Sequence, residues 1–162
     1  MFSIFGAIPA KAVEVITHKS ITQQSLTTSQ LRRIFTMRQT YWSNNNAITI
    51  FVLPSQHQLH RSFSKERLAI YPYQLERIWN KLTYSGLGVA PTVVDTPEAL
   101  IQAVLNTPGA IGYASKDDLI LFASAHSLDT KEDALQGDTT EKAKPTDGYN
   151  NQGVVHVINI ID

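Results

Sequence analysis

The sequence predicts an α/β domain built around a mainly parallel sheet flanked by helices. Three observations predict it. Segments of strand character alternate with segments whose apolar residues recur at helical spacing. From Ile48 to Phe63 an apolar run, Ile48-Thr49-Ile50-Phe51-Val52-Leu53, stops at Pro54-Ser55 and a helical pattern begins at once. The chain has 162 residues, 43% of them hydrophobic, which suits one domain with a real core and argues against wholesale disorder.

Taken in order, Val13 to Thr17 reads as a strand, followed by a polar stretch from His18 to Leu26. Thr27-Thr28-Ser29 offers N-cap hydroxyls to a helix whose apolar positions are Leu31, Ile34 and Phe35 and whose exposed side carries Arg32 and Arg33. Met37 to Asn46 is a loop holding Tyr41-Trp42 and a turn-prone Ser-Asn-Asn-Asn run. The central strand and its helix follow, with Leu59, Phe63 and Leu68 as core contacts. A helix from about Tyr73 to Tyr84 buries Leu75, Ile78, Trp79 and Leu82 and ends at Ser85-Gly86.

Thr92-Val93-Val94 is a short strand, and Asp95-Thr96-Pro97-Glu98 starts a helix with Leu100, Ile101, Val104 and Leu105 inward. Pro108-Gly109 ends it, and Ala110 to Tyr113 is a buried strand. Leu119 to Ala123 fits a strand or a helical turn. The segment from Ser127 to Gln152 is polar, charged and poor in large apolar residues, so a flexible acidic loop is expected there. Val154 to Ile160 is the last strand.

Net charge is zero but segregated. Through Ser115 there are ten Lys and Arg against five Asp and Glu; beyond it, four against nine. A basic body permits anion binding, and equally permits pairing with its own acidic portion. The absence of cysteine excludes disulfides, iron–sulfur clusters and thiol chemistry. Residues 1–12 are apolar up to Ile8, and Pro9-Ala10-Lys11-Ala12 places small residues where an A-x-A cleavage site needs them, so this stretch reads as the end of a signal peptide cut after Ala12. A frayed apolar strand is the other reading. Residues 13–162 then form the domain, periplasmic or secreted, and no other run is long enough to span a membrane.

Several local patterns, in this order, resemble one lobe of the type 2 periplasmic solute-binding proteins, specifically the phosphate ABC transporter substrate-binding family. They are Leu26-Thr27-Thr28-Ser29-Gln30-Leu31-Arg32-Arg33-Ile34-Phe35, the Tyr41-Trp42 loop, the strand into helix ending at Phe63, Trp79 to Gly86, Pro91, and Pro108-Gly109-Ala110-Ile111-Gly112-Tyr113. Together they cover about Val13 to Ser115. The resemblance implies a short, single-lobe member that binds phosphate or a similar anion and works with a membrane transporter. Where the phosphate-specific proteins carry an arginine, an acid and a Ser-Gly-Thr run, this chain has Leu53, Ser55 and His57-Gln58-Leu59, so most determinants of phosphate capture are replaced.

A strand that ends at a helix start leaves unpaired backbone N–H groups and partial positive charge at one sheet edge, which suits an anion or polar ligand. The candidate ligand-binding residues are therefore Ser55, Gln56 and His57, with Arg61 one turn on. Ordinary capping by Ser55, with Gln56 and His57 solvated, accounts for the same pattern. Lys19 and Ser20, after the first strand, are candidates on the expectation that they lie at the sheet's carboxyl edge; as a lone cation in a polar loop, Lys19 also reads as solvated. His57 and His60 share a helical face, but two imidazoles without a third ligand make a poor metal site, and no cofactor is implied. Gly109 to Tyr113 reads as hinge and ligand wall or, more simply, as turn and core.

No Ser/His/Asp pattern, phosphate-cradling glycine loop or paired carboxylates support catalysis, and neutral charge without a motif argues against nucleic acid. The expected function is solute binding without chemistry, with a second chain, as in a homodimer, needed to close a one-lobe site. The alternative is an interaction module of the cell envelope, for a membrane sensor or an assembly, that has lost solute binding.

Overall fold

The computed structural model describes residues 12–132 and 155–162. The signal-peptide reading of 1–12, apart from Ala12 itself, and most of the expected acidic loop fall outside them. Six strands form one sheet in the order β2-β6-β1-β5-β3-β4: β1 Val13–Thr17, β2 Ser25–Thr27, β3 Thr49–Val52, β4 Thr92–Val93, β5 Ala110–Ser115 and β6 His156–Ile161. The helices are α1 Thr28–Phe35, α2 Gln58–Ser62, α3 Pro72–Tyr84, α4 Pro97–Asn106 and α5 Lys116–Glu132. A π-helical turn, Phe63–Arg67, continues α2. No helix among the described residues is long and apolar enough to cross a membrane.

The domain is α/β with helices flanking the sheet, as the alternation of periods predicts, but the sheet is mixed. β3 runs parallel to β4 and β5, and β2 runs parallel to β6. β1 runs antiparallel to both of its neighbours, β5 and β6. The reason lies in connectivity: a helical crossover makes the strands it joins parallel, and no such unit joins β1 to either neighbour.

α1 forms where expected because Thr27 caps it. The Thr27 hydroxyl accepts from the Gln30 N–H at 3.1 Å while Gln30 Oε1 accepts from the Thr27 N–H at 3.0 Å, a reciprocal box that satisfies two groups otherwise orphaned. Leu31, Ile34 and Phe35 are buried. Leu26, read as the end of a polar stretch, belongs instead to β2, which pairs with β6 and is too short to show a strand pattern. Residues 119–123 lie within α5, whose first turn is held by Ser115: its hydroxyl accepts from the Asp118 N–H at 3.1 Å. The backbone of 127–132 also belongs to α5, where a loop is expected.

β5 is the spine of the core. Its side chains alternate between the two faces, and Gly112 lies against α4, where an added Cβ would come within 2.6 Å of Leu100 Cδ2. Glycine there permits close helix-to-sheet packing. Its neighbour Tyr113 is fully buried in an aromatic cluster, stacked on Phe63 with ring centroids 4.1 Å apart and facing Phe35 at 6.4 Å. The Trp79 indole N–H donates to the Phe35 carbonyl at 2.7 Å, tying α3 to α1.

Candidate functional site

β3 ends at Val52, and the next residues set the geometry of the sheet's carboxyl edge. The Leu53 N–H has no strand partner and donates to Tyr113 Oη at 2.9 Å. Burial pushes the Tyr113 phenol well above its usual range, against the opposing pull of that Leu53 N–H, so the group keeps its proton. His60 Nδ1 lies 2.5 Å from the phenol oxygen, in hydrogen-bond contact with it. His60 is fully buried, and its Nε2 has no hydrogen-bond partner among the described residues. Desolvation lowers the His60 pKa to about 4; Glu76 partly offsets the shift and His57 adds to it.

From Pro54 the chain makes a turn closed by the His57 N–H on the Pro54 carbonyl at 2.8 Å. This turn delays the helix, so its cap is His57 rather than Ser55: His57 Nδ1 accepts from the Leu59 N–H at 3.2 Å. With His57 used as a cap and His60 held in the core by Tyr113, the two imidazoles do not form a metal site. Among the described residues no group of three or more His, Cys, Asp or Glu is placed to hold a metal ion.

Ser55 and Gln56 are left on the surface of the turn, where they border a cleft of about 340 Å³ with Arg61, Lys65, Tyr73 and Glu76. Arg61 and Lys65 are four residues apart on the α2 and π-turn segment, and both are exposed. Lys65 Nζ lies 5.5 Å from the centre of the Tyr71 ring, which stacks on Tyr73 at 5.8 Å. On the other side of the same turn a second cleft of about 400 Å³ runs between Leu53, Pro54, Trp79 and Pro91 and shares Ser55, Gln56 and Glu76 with the first.

The structure thus brings Ser55, Gln56 and Arg61 together and leaves His57 beside them as the cap. It does not bring Lys19 and Ser20 to them. Because β1 runs against β5, its C-terminal Thr17 pairs with Ile111 near the start of β5, and the His18 N–H donates to the Ala110 carbonyl at 3.0 Å. Lys19 and Ser20 therefore sit at the amino edge of β3 and β5, opposite the Pro54 turn. Ser20 works there as a tie: its hydroxyl donates to His18 Nδ1 at 2.8 Å and accepts from the Gly109 N–H at 3.1 Å. Desolvation, followed by repulsion from Lys19, lowers the His18 pKa.

Five cleft residues escape a reading of the sequence alone: Lys65, Tyr71, Pro72, Tyr73 and Glu76. Arg61 and Lys65 at i, i+4 are a legible signal, since such residues share a helix face. Tyr-Pro-Tyr is another, because proline at the first helical position marks a helix start and so places both tyrosines there.

Solved structures share this architecture. The chain is similar to a protein from Clostridium perfringens assigned as a phosphate ABC transporter substrate-binding protein and solved with bound phosphate, at 21% identity and TM-score 0.50, over 64% of this chain and 39% of that one. It is similar to an ABC-type phosphate transport receptor from Vibrio cholerae, at 14% identity and TM-score 0.51, over 65% of this chain and 41% of that one. It is also similar to PstS from Borrelia burgdorferi, at 14% identity and TM-score 0.52, over 92% of this chain and 47% of that one. The likeness is one of fold, that of a single lobe of a type 2 solute-binding protein, and the chain spans less than half the length of each of these structures. No protein-family model and no curated protein matches the sequence.

Proposed function

We propose that the chain is a solute-binding-like protein of the periplasm or the secreted fraction that holds a small anion, phosphate or a relative of it, without catalysis. The observation that carries this reading is the convergence of Arg61 and Lys65 with Ser55 and Gln56 on one cleft at the carboxyl edge of β3. In open sheets with parallel strands that edge is where ligands are taken. Two cations and two neutral hydrogen-bonding side chains match the needs of an oxyanion. The fold shared with proteins named for phosphate transport supports it, and such a role implies a membrane transporter as partner. A site formed by one lobe is open on one side, so a second chain covering it raises affinity by removing water from the cations.

Titration calorimetry with phosphate and sulfate tests the reading. Heat of binding at millimolar ligand is expected for the native chain, with affinity reduced about tenfold in Arg61→Ala, the loss of one charge-assisted contact of about 1.5–3 kcal/mol discounted for exposure. Absence of heat with both anions would overturn it.

A second reading, an interaction module of the envelope, is favoured by one observation: Tyr84, Leu87, Val89 and Val93 are all more than half exposed along the α3-to-β4 connection and its edge strand. Clustered apolar side chains of this kind mark protein contacts.

A further inference from the structure

Resting on the anion-binding reading of the same cleft, we propose that its ligand is a hydroxylated ring bearing one acid group, a sugar phosphate or sugar acid, rather than a bare oxyanion. An inorganic oxyanion is served by cations and hydrogen-bond donors alone. This cleft offers more. Tyr71 and Tyr73 stack on each other at 5.8 Å at its wall while remaining 54% and 58% exposed, so aromatic surface outside the stack meets solvent beside the cations. Exposed aromatic surface gains from covering by the C–H surface of a ring, and a tyrosine hydroxyl adds a polar handle.

Lys65 carries its charge 5.5 Å from the Tyr71 ring centre, so the acid group and the ring of a bound ligand are neighbours, as they are in a small ring acid. Glu76 lines the same cleft. Its carboxylate accepts hydrogen bonds from ring hydroxyls, and Ser55 and Gln56 can satisfy others. The volume of about 340 Å³ falls in the range that takes small organic ligands, about 300–1,000 Å³.

The test is calorimetry of the native chain with four probes, inorganic phosphate, glucose 6-phosphate, glucuronate and glucose, repeated with Tyr73→Ala. Tyr73 is chosen because its side chain is largely exposed, whereas Lys65 packs over the Tyr71 ring; a thermal melt checks that the variant folds. Glucose 6-phosphate or glucuronate is expected to bind at least tenfold more tightly than phosphate, and glucose alone to bind more weakly than either acid. Tyr73→Ala should lower ring-acid affinity far more than phosphate affinity and so erase the advantage of the ring acids. Phosphate binding as tightly as both ring acids, or ring-acid affinity unmoved by Tyr73→Ala, overturns this inference and leaves the anion site standing. No binding of any probe overturns both.

Discussion

Replacing Gly109 by alanine is expected to cost about 3 kcal/mol, which at this size lowers the melting temperature by roughly 6–12 °C. Gly109 has φ +79°, and a Cβ built there would fall inside the van der Waals envelope of the Ala47 carbonyl oxygen, a backbone atom that cannot swing aside. The left-handed conformation alone costs an L-residue about 1–2 kcal/mol, and the overlap adds about 1–3 kcal/mol of overpacking. The position cannot relax, because three parts of the chain are tied to it. The Trp42 indole donates to its carbonyl at 2.9 Å, the Thr49 N–H donates to the same carbonyl at 3.2 Å, and its own N–H is held by Ser20. Gly86→Ala is the control. Its φ of +71° carries the same conformational penalty, but nothing lies within 4 Å of the added atom, so about 1 kcal/mol is expected. Equal costs for the two substitutions in urea denaturation would refute the steric argument.

Acidification should destabilise the fold through His60 by an amount on the order of 3 kcal/mol between pH 6.5 and pH 4. The folded-state pKa is lowered to about 4 against an ordinary 6.5, so within that window the unfolded chain binds a proton that the folded chain refuses. Stability is therefore fully present above pH 6.5, falls as the pH drops, and loses nothing further through this group below about 4. His18, also lowered, adds a smaller loss of the same sign. His60→Gln removes the titration while retaining a side chain able to accept from Tyr113. The difference in unfolding free energy between native chain and variant, measured at pH 4, 5, 6 and 7, is expected to change with pH; a constant difference would sink the idea.

Why some of this was legible and some was not follows from the range of each interaction. α1, α3 and α4 are written in their own residues: Thr27 and Gln30 form a local box, Pro72 and Pro97 begin helices, and the buried faces recur at helical spacing. Leu119 to Ala123 is a short apolar run, which periodicity alone cannot assign to helix or strand; the Ser115 cap, three residues before Asp118, is the local clue that it is helix. The cap of α2 was misplaced by two residues because the Pro54–His57 turn consumes the residues that look like a helix start.

The gathering of Ser55, Gln56 and Arg61 was legible because all three follow one strand within a few residues. Lys19 and Ser20 were assigned to the wrong edge for a different reason. Their position depends on the direction of β1, which is fixed by pairing with Gly112 and Val157, residues far along the chain, and no short stretch encodes it. The role of Tyr113 is equally non-local: a strand tyrosine reads as core or ligand wall, and only the folded chain shows it bridging Leu53 and His60 behind the turn.

The placement of β6 between β1 and β2 has a consequence for how the molecule comes to be made. Thr17 and its partner His156 are 139 residues apart, so a ribosome must deliver residues 156–161 before the middle of the sheet can close. Until then β1 lacks one neighbour and β2 lacks the one strand partner it has among the described residues, and the sheet stays incomplete. Closure of β6 between β1 and β2 is therefore a late, long-range step, the kind of contact that slows folding.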